Sequence, residues 1–318
     1  MPFSATPATR RAALALAGLL CGAAAPYAGQ APRPVDANPA DGIAMLATIT
    51  RLSADDMAGR AAGSEGGRSA RAYIESRLTA LGIPAAGPSG FEAPFAFTTK
   101  AGASVSGVNL VARCAGRRPD APAIVVSAHY DHLGVRDGRI YHGADDNASG
   151  VALLLLVAER CRREPFDHPL LVAFFDAEEQ GLQGARAFVQ SPPIPATRIA
   201  LDVNFDMVSR SDANEIYVAG PGRWPALGPV LRAALAGGPV TVRFGHDTGG
   251  GHDDWTTQSD HGAFHAAGIP FVYFGVEDHA DYHQPTDTAD KISPRFLSGV
   301  AATVLRALAA LDGLDAYK

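Results

Sequence analysis

The chain has 318 residues, of which 47% are hydrophobic and 19% charged, and a formal net charge of −6. This composition is that of a globular fold and excludes a disordered chain, a collagen repeat or a coiled coil. No Lys/Arg-rich run occurs anywhere, which argues against nucleic acid or an anionic membrane as the partner and leaves a peptide or small molecule as the expected ligand.

Residues 1–28 are expected to be a signal peptide, with Arg10 and Arg11 as a basic start, an apolar stretch over 12–25 and Ala28 at a cleavage point. The apolar stretch is shorter than the ~20 residues of a membrane span, so none is expected in the mature form. Cys21 follows Leu20, which is too large to precede a lipid-bearing cysteine. The expected address is therefore export, to the periplasm or the exterior, and loss of the two arginines takes the net charge from −6 to −8. Residues 29–41, rich in Pro, Ala and Asn, read as a flexible leader, and no linker or repeat divides residues 42–318, which read as one domain.

Helical spacing appears at 42–52 and at 68–81, where Tyr73, Ile74, Leu78 and Leu81 share a face, and a glycine-rich loop from Met57 to Ser64 separates the two. Apolar runs too short for helices follow at 91–98, 106–113, 123–128, 170–175, 199–205, 216–219 and 269–274, and these predict strands. Helical patterns at 149–162, 181–190, 225–235 and 294–311 alternate with them. The runs around Val125 and Val172 are apolar on both faces, as in a sheet covered by helices on both sides. The fold class is therefore α/β, a three-layer α/β/α domain with a mostly parallel mixed central sheet. Cys114 and Cys161 are too few for a thiolate metal site; they could pair in an oxidising compartment, and two separate buried thiols is the plainer reading.

In such sheets ligands bind beyond the carboxyl ends of the central strands. There the sequence places His129-Tyr130-Asp131-His132, then Gly143-Ala144-Asp145-Asp146-Asn147, Asp176-Ala177-Glu178-Glu179, Asp206, and finally Tyr282-His283-Gln284-Pro285-Thr286-Asp287. Five strand-end or loop segments that each offer imidazole or carboxylate form a donor set suited to Zn²⁺ with N and O ligands.

With these motifs in this order the chain resembles the secreted bacterial di-zinc aminopeptidases of the leucyl aminopeptidase type. These are the twenty-eighth metallopeptidase family, clan MH, which also holds glutamate carboxypeptidase, the transferrin receptor ectodomain and glutaminyl cyclases. The resemblance runs from residue 52 to the C-terminus, including Met57-Ala58-Gly59-Arg60 and the closing Asp287-Thr288-Ala289-Asp290-Lys291-Ile292. It implies a zinc exopeptidase-like domain without an inserted apical domain, holding two Zn²⁺ and acting on peptides through a zinc-bridging hydroxide. Asp146 would bridge the metals, with Asp145 as the competing choice. Glu179 and His283 would complete one zinc, and His129 and Asp206 the other. Glu178 would be the general base, and Asp131 would orient His129.

His279 and Asp281 are alternatives to His283. Asp260 and His261, in a Ser-Asp-His motif shared with relatives, and Trp255 and Tyr282 are expected near the substrate pocket; the loop over 245–258 is read as its rim. His132, His142, His168 and His265 are read as structural. The alternatives to an aminopeptidase are a zinc carboxypeptidase or dipeptidase, for which Arg210 is the one candidate carboxylate reader, a glutaminyl cyclase-like acyltransferase, and a metal-free binding protein on the same scaffold.

Overall fold

The computed structural model describes residues 1–3, 38–99, 102–249 and 253–318, so the expected signal peptide and most of the leader lie outside the described residues. The described residues from 38 to 318 fall within one compact unit. Its first described helix, α1 (Pro39–Leu52), starts earlier than the sequence reading because the Asn38 side chain caps the Ala40 N–H and Pro39 supplies a helical φ. Ser64 caps α2 (Glu65–Ala80) in the same way. Then follow β1 (Glu92–Thr98), β2 (Ser104–Cys114), β3 (Ala123–His129), a small hairpin of β4 (Val135–Arg136) and β5 (Arg139–Ile140), and α3 (Gly150–Arg163). Next come β6 (Leu170–Phe175), α4 (Gln183–Gln190), β7 (Ile199–Phe205), β8 (Glu215–Ala219) and α5 (Leu227–Leu235). The chain closes with β9 (Thr241–Phe244), α6 (His261–Ala266), β10 (Phe271–Gly275) and α7 (Pro294–Asp312).

Eight strands form one mixed sheet in the order β1-β2-β6-β3-β7-β10-β8-β9. The four central strands β6, β3, β7 and β10 are parallel, while β1, β2 and β8 join antiparallel to their inner neighbours. Alternate residues of the central strands feed two cores. Leu170, Val172 and Phe174 of β6 join Ile124 and Val126 of β3 under α1, α3, α5 and α7. Leu171, Ala173 and Phe175 join Val125 beneath α4 and α6 on the other face. Burial on both faces explains why these strands read as unbroken apolar runs. From β3 the chain crosses through α3 to β6 on one side, then through α4 to β7 on the other. The strand order therefore reverses at β3, and a crevice opens at its carboxyl end.

Three elements escaped the sequence reading. The edge strand β9, Thr-Val-Arg-Phe, is short and half-buried, without an apolar run to mark it. The helix α6 has six residues, too few to show a helical period in the sequence. The β4/β5 hairpin turns on Asp137 and Gly138, both at positive φ, where an Asp-Gly signal was present but flanked by strands of only two residues. By length and composition α7 could cross a bilayer, yet most of it is buried against α1 and α5, which makes it a core helix.

Cys114, at the end of β2, and Cys161, in α3, are joined as a disulfide, with Cα atoms 6.2 Å apart. This corrects the expectation of two separate thiols: the pairing of β2 with β6 carries the strand end over the last turns of α3, a proximity that no spacing in the chain reports. The bond closes a loop with a sequence separation of 47. Replacing both cysteines with Ala should lower the unfolding free energy in urea by about 4 kcal/mol on the chain-entropy model, without changing the secondary structure by circular dichroism.

Candidate metal centre

The candidate donors stand where the parallel strands end. His129 is the last residue of β3, Glu178 and Glu179 follow β6 after a tight turn, and Asp206 follows β7. Ala177, Met207 and His283 all adopt positive φ, at 58°, 54° and 52°. Left-handed backbone costs a non-glycine residue roughly 1 kcal/mol or more and persists only where the surroundings over-determine it. These three residues adjoin Glu178, adjoin Asp206, and are His283 itself.

One buried side chain ties the loops together. Arg60, fully buried, donates to four carbonyls: Tyr130 and Leu52 at 2.9 and 2.7 Å, His142 at 2.7 Å and Gly143 at 2.8 Å. Burial lowers its pKa to about 10, against the pull of Asp146, Asp287, Asp131 and Glu179. It stays charged at neutral pH and clamps the loop after β3 to the loop before α3. From the other side Asp287 accepts the backbone N–H groups of Asp145 and Asp146, and the Asn147 amide donates to the Phe205 carbonyl at 2.9 Å.

Held this way, the Asp146 carboxylate lies between two donor clusters. Its Oδ1 is 3.5 Å from His129 Nε2, which is also 3.3 Å from Asp206 Oδ1. Its Oδ2 is 3.1 Å from His283 Nε2, and Glu179 Oε2 is 3.4 Å from the same nitrogen. Donors bound tetrahedrally at the 2.0–2.1 Å typical of zinc stand about 3.3 Å apart, so these separations fit a cation in each cluster. His132 Nδ1 also enters the second cluster, 2.8 Å from Glu179 Oε1 and 3.6 Å from Asp146 Oδ2. His132 was read as structural and is instead a side chain of the centre. Its signal was its place three residues after His129, in the loop directly beyond a fully buried strand.

The adjacent Asp145 points elsewhere. Its carboxylate accepts from the Ser209 N–H and hydroxyl at 2.8 and 2.6 Å, and His279 Nε2 is 3.1 Å away. That arrangement separates Asp145 and His279 from both clusters. Asp281 is held outside as well, by Arg210, Lys291 and Thr286.

Electrostatics makes the same demand for positive charge. Burial opposes a charge on His283, but Asp146 and Glu179 outweigh it and raise its pKa to about 10. Burial is likewise overcome at His129, where Asp206 and Glu178 push the imidazole well above its ordinary value. Glu178 is pushed well up by burial, which His129 only partly counters, and by Asp260, Asp206 and Glu179. Glu179 Oε1 and both ring nitrogens of His132 are buried without a hydrogen-bond partner. Orphaned carboxylate and imidazole atoms facing one another are what a divalent cation would satisfy.

Asp131 does more than expected. Its carbonyl is 3.1 Å from His129 Nδ1, while its carboxylate accepts the N–H of Glu178 at 3.0 Å and that of Glu179 at 3.4 Å. Of the residues expected at the substrate pocket, Tyr282 stacks on His283 with ring centroids 3.9 Å apart. Trp255 lies edge-on to Tyr273, whose hydroxyl donates to the Asp206 carbonyl at 3.2 Å. Asp260 and His261 are fully buried, with His261 Nε2 2.8 Å from the Trp255 carbonyl. Within the expected rim loop, Gly250, Gly251 and His252 lie outside the described residues.

Two variants test this architecture. Arg60→Met strands four buried carbonyls and should cost at least about 3 kcal/mol in chemical denaturation. Asp131→Asn keeps shape but loses a charged acceptor, and should weaken metal binding roughly 10–100-fold in chelator competition with the melting transition of the metal-free protein nearly unchanged.

The family model of Peptidase family M28 matches residues 109–308. Leupeptin-inactivating enzyme 1 of Streptomyces exfoliatus is 29% identical over 289 residues, covering 88% of this chain and 59% of that protein. The fold is similar to that of an aminopeptidase from Aneurinibacillus sp. strain AM-1, with TM-score 0.65, 19% identity, and 86% and 93% of the two chains covered. It is also similar to Porphyromonas gingivalis glutaminyl cyclase, with TM-score 0.69, 20% identity, and 84% and 97% covered. The chain spans 59%, 42% and 45% of the length of the first three curated relatives that it matches. Because the family match runs unbroken from β2 into α7 and takes in every strand end that carries a donor, the chain belongs to Peptidase family M28.

Proposed function

We propose that this chain is an exported di-zinc aminopeptidase that removes N-terminal residues from peptides. The observation that carries the reading is the Asp146 carboxylate, whose two oxygens face separate His/carboxylate clusters. One zinc would be held by His129, Asp206 and Asp146, and the other by Glu179, His283 and Asp146. When bound, such a pair polarises the scissile carbonyl and lowers the pKa of the attacking water to about 7.

The chain's own groups supply the proton transfers and the positioning. Glu178, its backbone anchored by Asp131, accepts the proton released by water and passes it to the leaving amine. Burial raises its pKa, which makes its carboxylate a stronger proton acceptor than an exposed one. The surplus of carboxylates around the centre attracts a free, positively charged α-amino group. Arg210, the candidate carboxylate reader among the described residues, is engaged by Asp281 and His279. The Asp146 position between two clusters favours a two-metal hydrolase over a one-metal cyclase, although the fold is similar to both, with TM-scores of 0.65 and 0.69. Export is supported by the Arg10-Arg11 start with its apolar stretch and by the Cys114–Cys161 bond, since disulfides persist in oxidising compartments.

The test is hydrolysis of aminoacyl-p-nitroanilides beside N-blocked versions, with and without chelator, for the wild type and Glu178→Gln. The expected result is chelator-sensitive cleavage of the free-amine substrates only, with kcat about 10²–10⁴-fold lower in the variant and zinc content unchanged. Failure to cleave either set by protein that holds two zincs would overturn the aminopeptidase reading.

A further inference from the structure

We infer that His132 is a metal ligand of this centre, giving the Glu179 side four protein donors, namely His132, Asp146, Glu179 and His283, against three on the His129 side. The inference rests on the zinc reading above and adds a donor to it. Three observations carry it. His132 Nδ1 lies 2.8 Å from Glu179 Oε1 and 3.6 Å from Asp146 Oδ2, separations that bracket the edge of about 3.3 Å for a zinc tetrahedron. Despite that proximity neither ring nitrogen makes a hydrogen bond, and Glu179 Oε1 makes none either. The nitrogen and the oxygen are thus in close approach without a hydrogen bond between them. A hydrogen-bonded structural histidine would show the reverse.

The backbone is also shaped around this ring. Gly143 adopts φ 57°, and a Cβ there would sit 2.5 Å from His132 Cδ2 and 2.6 Å from Cγ, so only glycine leaves room for the imidazole. The neighbouring Gly143 carbonyl is clamped by Arg60, whose own carbonyl accepts the His132 N–H at 3.4 Å. The ring stands edge-on to His283 with centroids 5.9 Å apart, two imidazoles flanking the same pair of carboxylates. A side with four protein donors resembles a closed site, whereas three donors leave a position open to water and substrate. The two metals would therefore bind with unequal affinity, the tighter beside Glu179 and the more exchangeable beside Asp206.

X-ray absorption of the wild-type protein loaded with two zincs counts the imidazoles directly and needs no variant: three per two zincs are expected, and two would overturn the proposal. Chelator competition should resolve one tight and one weak zinc. His132→Gln, checked for folding by circular dichroism, should weaken the tight one by more than the roughly 10–100-fold caused by losing an outer hydrogen-bond partner. A smaller loss, or two zincs of unchanged affinity, would overturn it while leaving the di-zinc reading intact. A wild-type protein that takes up no zinc would overturn both.

Discussion

The constraint on which the rest of the structure depends is the gathering of ionisable oxygens at one end of the sheet. Asp131, Asp146, Asp206 and Asp260 are buried there beside Glu178 and Glu179, with imidazoles and one deeply buried guanidinium as the nearby countercharges. Carboxylates do not tolerate such company unless cations offset them. Protonation of His129 and His283, favoured by their raised pKa values, is one response; divalent cations are the stronger one, because they also occupy the orphaned lone pairs. The donors, the left-handed backbone beside them and the buried Arg60 all follow from holding that charge in place.

Arg60 shows how the scaffold meets the requirement from a distance. Its four hydrogen bonds go to carbonyls and not to carboxylates, so it contributes long-range positive potential without neutralising any single donor. It thereby fixes two of the donor-bearing loops in position while leaving the carboxylate oxygens free. Asp287 does the converse for the same turn, accepting two backbone N–H groups and drawing no metal donor away. Orientation comes from backbone groups, and the carboxylate and imidazole side chains of the centre are left to face one another.

The wall beside this centre has a different character. Trp255 is stacked on His246 with ring centroids 3.7 Å apart and meets Tyr273 edge-on, and Tyr273 in turn reaches the Asp206 backbone. Apolar contact surface thus stands close to the donors without entering their shell. Asp260 and His261, though adjacent in sequence to this wall, are sealed beneath it by the packing of α6 on β10 and β7. The distinction between lining a pocket and supporting it belongs to the packing, since a six-residue helix and a turn look alike in sequence.

Much was legible in the chain itself. Apolar runs such as 170–175 declared central strands because both faces of those strands are covered, and the runs 123–128, 170–175 and 199–205 lead directly into His129, Asp176 and Asp206. That local signal drew attention to His129, Glu178, Glu179 and Asp206, because strand ends are points where a periodic pattern stops, whereas Asp146 lies in the turn before α3 and was singled out by the family resemblance. The order of Asp145 and Asp146 was not decided in the same way. The two are chemically identical neighbours, and only the hydrogen bonds of Asp145 to Ser209, 64 residues away, turn one aside and leave the other between the clusters. His132, the Cys114–Cys161 bond and the burial of Asp260 share that dependence on contacts between distant segments. Sequence determined which chemistry could assemble at the strand ends; tertiary structure decided which atoms of it face one another, because register and packing bring together residues whose spacing along the chain carries no trace of the encounter.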